Sequence, residues 1–323
     1  MLYYIMEKLM SRKLISLTAA ATFAGCTGMA DVPNVAVDIA PVHSLVARVM
    51  QGVGAPNLII QQGASPHEYN LHPSEAKALQ DANLVFWMGE GLTPWIENAL
   101  ETLANNAEIT TLIEQEKTAL LDFRESALFE EHDPDEHGEE EPGEKEGQDE
   151  HGHEMHDPHA WLSLENANTW LNLIAAQLSG TDPKNAGIYF ANAAEARAEI
   201  GSLMAEVTTM LDPVRDRDFI VFHDAYQYFE TTFDFPASGA ISLGDASDPS
   251  PARIAAIQNR VREEGINCVL AEPQFNRRLI ATVLERTDTN TGVIDPLGVR
   301  LEKGPALYPQ LIRNMAKTLV GCL

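Results

Sequence analysis

Basic residues, cysteines and long apolar runs are all scarce in this chain of 323 residues. Lysine and arginine number 22 against 48 aspartates and glutamates, a formal net charge of -26. Nothing resembles the basic stripe needed to neutralise phosphates, which excludes nucleic acid and points to a cation as the partner. Beyond residue 24 no apolar run reaches the roughly 20 residues that a membrane-spanning helix takes. The 3 cysteines form no CxxC pattern. There is no GxxxxGK[ST] loop for nucleotide phosphates and no HExxH helix of the metalloprotease type.

What is present fits an exported two-lobed protein. The length exceeds the usual single-core limit of about 250–300 residues, so two cores are expected, and 45% hydrophobic content can fill both. Residues 1–30 read as an export signal: Arg12 and Lys13 precede an apolar stretch from Leu14 to Ala24 that is too short to span a bilayer. Gly28-Met29-Ala30 predicts cleavage before Asp31 and a soluble product. Phe23-Ala24-Gly25-Cys26 is an imperfect competing site at which Cys26 would carry a lipid anchor. The mature chain then keeps Cys268 and Cys322, an even pair suited to a disulfide in an oxidising compartment. Alternatively, Cys268 is simply a small buried apolar residue. A bridge over some 54 residues would restrict the unfolded chain by about 4 kcal/mol.

Strand-like and helix-like runs alternate along the chain. Residues 34–40, 57–61, 83–88 and 109–113 read as buried strands in the first half, separated by amphipathic stretches at 42–51, 73–82 and 93–105. The second half repeats the rhythm with strands near 218–222, 237–242, 268–271 and 292–295. Its helices fall near 225–233, 251–264, 275–286 and 305–319. The fold class predicted is α/β, with Rossmann-like parallel-sheet lobes at 31–182 and 212–323. Between them, 183–211 reads as one long helix entered through Asp182 and Pro183, with Ala196, Ile200, Leu203, Val207 and Leu211 forming a buried stripe. A single helix of that length predicts lobes held stiffly.

Three histidines carry the chemistry. His67 lies in GASPHEYNLHPSE, His159 in HDPHAWLS and His223 in FIVFHDAYQYFE, each at a strand-like run or a proline turn. Strand ends are where ligand sites form in open α/β sheets. Neutral imidazoles suit Zn²⁺, and three of them leave one position of a tetrahedron for oxygen. Asp295, at the end of the strand-like VID, is the candidate fourth ligand or outer partner. His43 reads as structural and His72 as a surface residue, while Trp87, Trp161, Tyr226 and Phe229 read as core. Glu272 either caps the helix after Pro273 or supports the site from behind. Because a ligating imidazole must be neutral, zinc should displace up to three protons below about pH 6 if none of the three is strongly perturbed.

Over essentially the whole mature chain, GASPHEYNLHPS, DPHAWLS, FHDAYQYFE, LAEPQF and DPLG, taken in that order, resemble the zinc-uptake solute-binding proteins of ABC transporters. The linker helix and the Cys268/Cys322 pair agree with that family. The resemblance implies a high-affinity Zn²⁺ site in the cleft between lobes, a periplasmic location and delivery to a membrane permease driven by a separate ATPase. It implies a binding protein rather than an enzyme, and a monomer is expected. Many relatives place a glutamate just before the first histidine, where this chain has Pro66, so the fourth ligand stays open between Asp295 and water. Manganese-selective relatives carry a glutamate where His223 stands, and an oxygen-rich site is what Mn²⁺ prefers.

The stretch 130–157 holds 14 acidic residues against one lysine and thus supplies half of the net charge. With Gly and Pro interspersed it is expected to be disordered without metal. Its histidines, His132, His137, His151, His153 and His156, are candidates for weak secondary zinc capture; the alternative is a solvated acidic loop. Two other functions remain open to sequence: a secreted zinc hydrolase, since three histidines plus water also describe a catalytic zinc, and an extracellular metal buffer or adhesin of the same fold.

Overall fold

Runs of Val, Leu, Ile and Phe that lack polar alternation become strands covered on both faces, as parallel sheets require. The computed structural model describes residues 32–323 apart from 125, 127–128, 130–155, 243–248, 275–276 and 286. The expected export segment with Cys26, and the loop histidines His132, His137, His151 and His153, lie outside the described residues. The first lobe contains β1 (Val35–Val37), α1 (Ala40–Val49), β2 (Asn57–Leu58), α2 (Pro73–Gln80), β3 (Leu84–Trp87), α3 (Glu97–Leu103) and β4 (Glu108–Thr111). After α4 (Leu164–Thr181) and α5 (Ala186–Leu211) come β5 (Phe219–His223), α6 (Gln227–Phe233), β6 (Ala240–Ser242), α7 (Pro251–Glu263), β7 (Cys268–Ala271), α8 (Arg277–Val283), β8 (Asn290–Val293) and α9 (Leu307–Cys322).

Both sheets are parallel and share one strand pattern, β2-β1-β3-β4 in the first lobe and β6-β5-β7-β8 in the second. Alternate residues of each central strand serve different clusters. Phe219 and Val221 point into the inner cluster, whereas Ile220 and Phe222 join an outer one with Ile257 and Val261 of α7. Val35 and Val37 likewise face inward and Ala36 outward, where it meets Ile59, Leu79 and Trp87. The inner cluster runs unbroken through both lobes, which departs from the expectation of two separate cores. Helix α5 is the cause. It packs against α1, α4 and α9, and α1 also touches α9, so the inner faces of both sheets are covered by a shared helical layer.

At 26 residues, α5 is about 39 Å long. Its buried stripe is the expected one, extended toward the N-terminus by Tyr189 and Ala193. Its entry differs from the expected helical start, because Pro183–Asn185 form a 3₁₀ turn, a common device at helix ends. Asp182 organises that turn, accepting from Asn185 Nδ2 at 2.6 Å and from the Tyr189 hydroxyl at 2.9 Å. Surface pairs lock the spine on both sides: Arg48 with Glu195 and Glu199, and Arg313 with Glu206. Direct links also join the lobes, with Gln62 Nε2 donating to the carbonyls of Gly298 and Leu301 at 2.9 Å each.

Cys268 and Cys322 form a disulfide that ties β7 to the end of α9, with Cα atoms 5.7 Å apart. No described helix is long and apolar enough to cross a membrane. Trp87, Trp161, Tyr226 and Phe229 are buried as expected.

Candidate metal centre

The second sheet places two of the histidine-site residues through its topology alone. β5 pairs with β7 in parallel, with Val221 opposite Leu270, so their C-terminal ends lie side by side. The chain leaves β5 toward β6 on one flank while β7 lies on the other, which makes this pair the point where connections diverge and a crevice opens. His223 is the last residue of β5, and Glu272 follows β7. His223 Nδ1 is 2.7 Å from Glu272 Oε1. This decides between the two readings of Glu272: its carboxylate supports the imidazole from behind. Such a bond fixes the ring and leaves Nε2 facing the crevice.

His159 is set by a tight local turn. Asp157 Oδ1 accepts from the His159 backbone N–H at 2.9 Å and lies 2.7 Å from His159 Nδ1. The same carboxylate therefore orders both main chain and ring, leaving Nε2 available. Asp157 was not singled out in sequence, although an aspartate two residues before a histidine, across a proline, is the pattern of a side chain closing its own turn.

The segment holding Asp157 is docked on the second lobe. Asp157 N donates to the Leu121 carbonyl at 2.8 Å, and Asp122 pairs with His156 as an isolated antiparallel bridge, their side chains 2.8 Å apart. The Tyr228 hydroxyl accepts from Leu121 N and donates to the Asp157 carbonyl. Arg124 reaches Asp224 at 3.0 Å and Glu230 at 2.5 Å. His156, expected as a loop ligand, is thus the described residue at one foot of the acidic stretch and lies beside Asp122.

His67 comes from the opposite side, in the irregular segment after β2. Trp95 Nε1 donates to the Pro66 carbonyl at 2.7 Å and so holds the turn that presents it. Ring centroids separate His67 from His159 by 5.7 Å and from His223 by 6.1 Å, while His159 and His223 are 5.1 Å apart. One nitrogen from each ring lies within 4.8 Å of the others. The Nε2 atoms of His159 and His223 are 3.2 Å apart. Two imidazoles at about 2.0–2.1 Å from a tetrahedral zinc would have nitrogens roughly 3.4 Å apart, so this pair is already at the spacing of one tetrahedral edge. The pocket around them is walled by Trp161, Pro296 and Leu297.

The electrostatics of the rings differ. Burial lowers the His67 pKa to about 3, helped by the neighbouring charges of His159 and His223. Burial would lower that of His223 too, but Glu272, with Asp157 and Asp224 beyond it, outweighs burial and raises it.

The remaining sequence candidates stand apart. Asp295 is not in the three-histidine group. Its Oδ1 accepts from Leu297 N and Gly298 N at 3.1 and 2.9 Å, and Oδ2 from Val299 N at 2.7 Å. It shapes the DPLG turn, and it borders a different cavity, lined by Arg300, Asn314 and Lys317. His43 is buried with Nε2 3.1 Å from the Pro56 carbonyl, and His72 is exposed at the start of α2.

Two α/β lobes on a shared helical spine have a structural counterpart. A solved structure of a ZnuA superposes with TM-score 0.75 at 20% identity, covering 90% of this chain and 99% of that one. Sequence narrows the class further. The chain belongs to the family described as zinc-uptake complex component A periplasmic, whose model matches residues 35–322. Among relatives, the high-affinity zinc uptake system protein ZnuA of Brucella abortus (strain 2308) is 43% identical, over 94% of this chain and 95% of its own. The protein of the same name from Paracoccus denitrificans (strain Pd 1222) is 43% identical over 95% of this chain and 97% of its own.

Proposed function

We propose that this protein captures Zn²⁺ as cargo in the periplasm through His67, His159 and His223 and delivers it to the membrane permease of an ABC transporter. The observation that carries the reading is the convergence of three imidazole nitrogens within 4.8 Å from chain segments separated by 92 and 64 residues. Two of the rings are backed by carboxylates, the arrangement that fixes tautomer and strengthens a metal ligand. A nitrogen-rich donor set favours zinc over manganese, which prefers oxygen. Family membership supports the location and the permease partner.

A binding role is preferred to a catalytic one. Asp157 and Glu272 are engaged with ring nitrogens, so neither is placed as a general base for a metal-bound water. The stiff spine supports limited relative motion of the lobes. Loading would instead draw His67 toward the preset His159/His223 pair. Calorimetric titration of the mature protein with zinc tests the proposal: one tight site is expected, lost in the His67→Ala, His159→Ala and His223→Ala variants but kept in His72→Ala. Equal affinity in all four variants would refute it.

A further inference from the structure

Three imidazoles leave one tetrahedral position, and neither obvious carboxylate supplies it. Pro66 stands immediately before His67, and Asp295 has both oxygens engaged by backbone N–H groups on a different cavity. Glu272 is turned to His223 Nδ1. Two further side-chain oxygens line the histidine pocket, and that of Ser65 already accepts from His67 N at 3.3 Å. The other is on Gln274, which lies two residues beyond Glu272 and borders the pocket together with His67, His159 and His223. Its Oε1 is buried and has no hydrogen-bond partner among the described residues. A buried amide oxygen left unpaired costs about 1–3 kcal/mol, so such an atom in a ligand pocket calls for an explanation.

We infer that Gln274 Oε1 is the fourth ligand, a neutral oxygen that completes a three-histidine, one-amide site around the bound cation. This rests on the three-histidine reading above. The inference accounts for the orphaned oxygen, because an amide carbonyl lone pair that meets no N–H can meet a cation. Its position follows from the strand end beside that of His223: β7 runs into Glu272, Pro273 restricts the turn, and Gln274 follows on the pocket wall. It also bears on selectivity. With a neutral oxygen the donor set carries no charge, which leaves the nitrogen-rich preference for zinc intact, whereas a carboxylate there would make the site harder and better suited to Mn²⁺.

The test uses Co²⁺ as a spectroscopic stand-in for Zn²⁺ in the mature protein, with thiocyanate as an exogenous ligand. If Gln274 closes the site, the visible spectrum of the wild-type Co²⁺ complex stays unchanged on adding thiocyanate. Gln274→Met should leave the position to water, shift the spectrum, take up thiocyanate and weaken zinc binding about tenfold or more. Gln274→Glu should retain four protein ligands and narrow the gap between zinc and manganese affinity. The wild-type measurement needs no variant to fold. Thiocyanate uptake by the wild type, or a wild-type spectrum and zinc affinity in Gln274→Met, would overturn the inference. His223→Ala separates the two levels: if that variant binds zinc normally, the three-histidine reading itself fails, whatever Gln274 does.

Discussion

The two sheets have the same strand pattern, yet their equivalent crevices are used differently. At the divergence point of the first sheet, between β1 and β3, stands Asp38. Its two oxygens accept from Ile39 N at 2.7 Å and Met88 N at 2.8 Å, so the carboxylate stitches the two strand ends together and the crevice is closed. At the corresponding point of the second sheet stand His223 and Glu272, with a ring nitrogen facing outward. The fold provides two similar openings; the residue that ends the central strand decides whether one becomes a buttress or a site. The first lobe contributes instead through His67, on the irregular segment after β2. The His159/His223 pair of the proposed centre already stands at 3.2 Å, and His67 meets it from the other lobe.

The largest expected effect follows from removing a ligand. His159→Ala or His223→Ala should weaken zinc binding by about a thousandfold or more, beyond the 10–100-fold typical of losing an outer-shell partner. His67→Ala should cost somewhat less, because the remaining pair keeps its spacing. Titration calorimetry of the three variants checks the order, and a greater loss for His67→Ala would contradict it.

A smaller effect is expected from the support behind the preset ring. Glu272→Gln should reduce zinc affinity 10–100-fold at pH 8. The same change separates the rings by pH. His223 has a raised pKa in the folded protein, so zinc must displace its proton, and apparent affinity falls as pH drops through that raised value. Removing the Glu272 charge leaves burial opposed only by Asp157 and Asp224, which should move the fall in affinity to lower pH. His67, with its pKa pressed to about 3, is already neutral at pH 5.5 and has no proton to release there. The proton release expected for three ordinary histidines is thus cut by one. Calorimetry in buffers of differing ionisation enthalpy measures it; three protons per zinc at pH 5.5 would contradict the neutral state of His67.

The smallest effect on zinc belongs to the closed crevice. Asp38→Ala should leave zinc affinity within about threefold but lower stability, because each orphaned buried N–H costs about 1–3 kcal/mol. Burial raises the Asp38 pKa to about 7 against the lowering effect of its backbone N–H partners. A carboxyl whose folded-state pKa is raised stabilises the protein below its unfolded value, and that contribution is lost as pH rises from about 4 through about 7. Thermal melts of the metal-free protein should therefore decline over that range less steeply in Asp38→Ala than in wild type. An unchanged pH slope would remove Asp38 from the account.

The parts of this organisation that sequence exposes are those with strong local signatures. Apolar runs marked the central strands β1, β3, β5 and β7 and the stripe from Ala196 to Leu211 marked the spine, whereas the polar edge strand β8 overlaps the expected 292–295 by two residues only. The three histidines stood out because each sits at a strand end or proline turn. What escaped depends on tertiary neighbours. Nothing local distinguishes Asp295, at a strand end before a proline, from a metal ligand; its engagement with three N–H groups of the following turn appears only in three dimensions. Asp157 and Gln274 acquire meaning only once β5, β7 and the Pro158 turn face one pocket. Helix α4 had readable signals, with Ser163 accepting from Asn166 N at its start and Trp170, Leu171, Ile174 and Leu178 buried, but it was obscured by the motif just before it. The shared core followed from how α5 packs, which length alone could not anticipate.

The most direct measurement is zinc K-edge X-ray absorption on the mature protein lacking residues 130–155 and loaded with one equivalent of zinc. Removing that stretch leaves His67, His159 and His223 in place and takes away four competing histidines. The account predicts four-coordinate zinc with three imidazole ligands at about 2.0–2.1 Å and one oxygen at about 2.0–2.2 Å. A first shell with two or fewer imidazoles, or with sulfur, would contradict it.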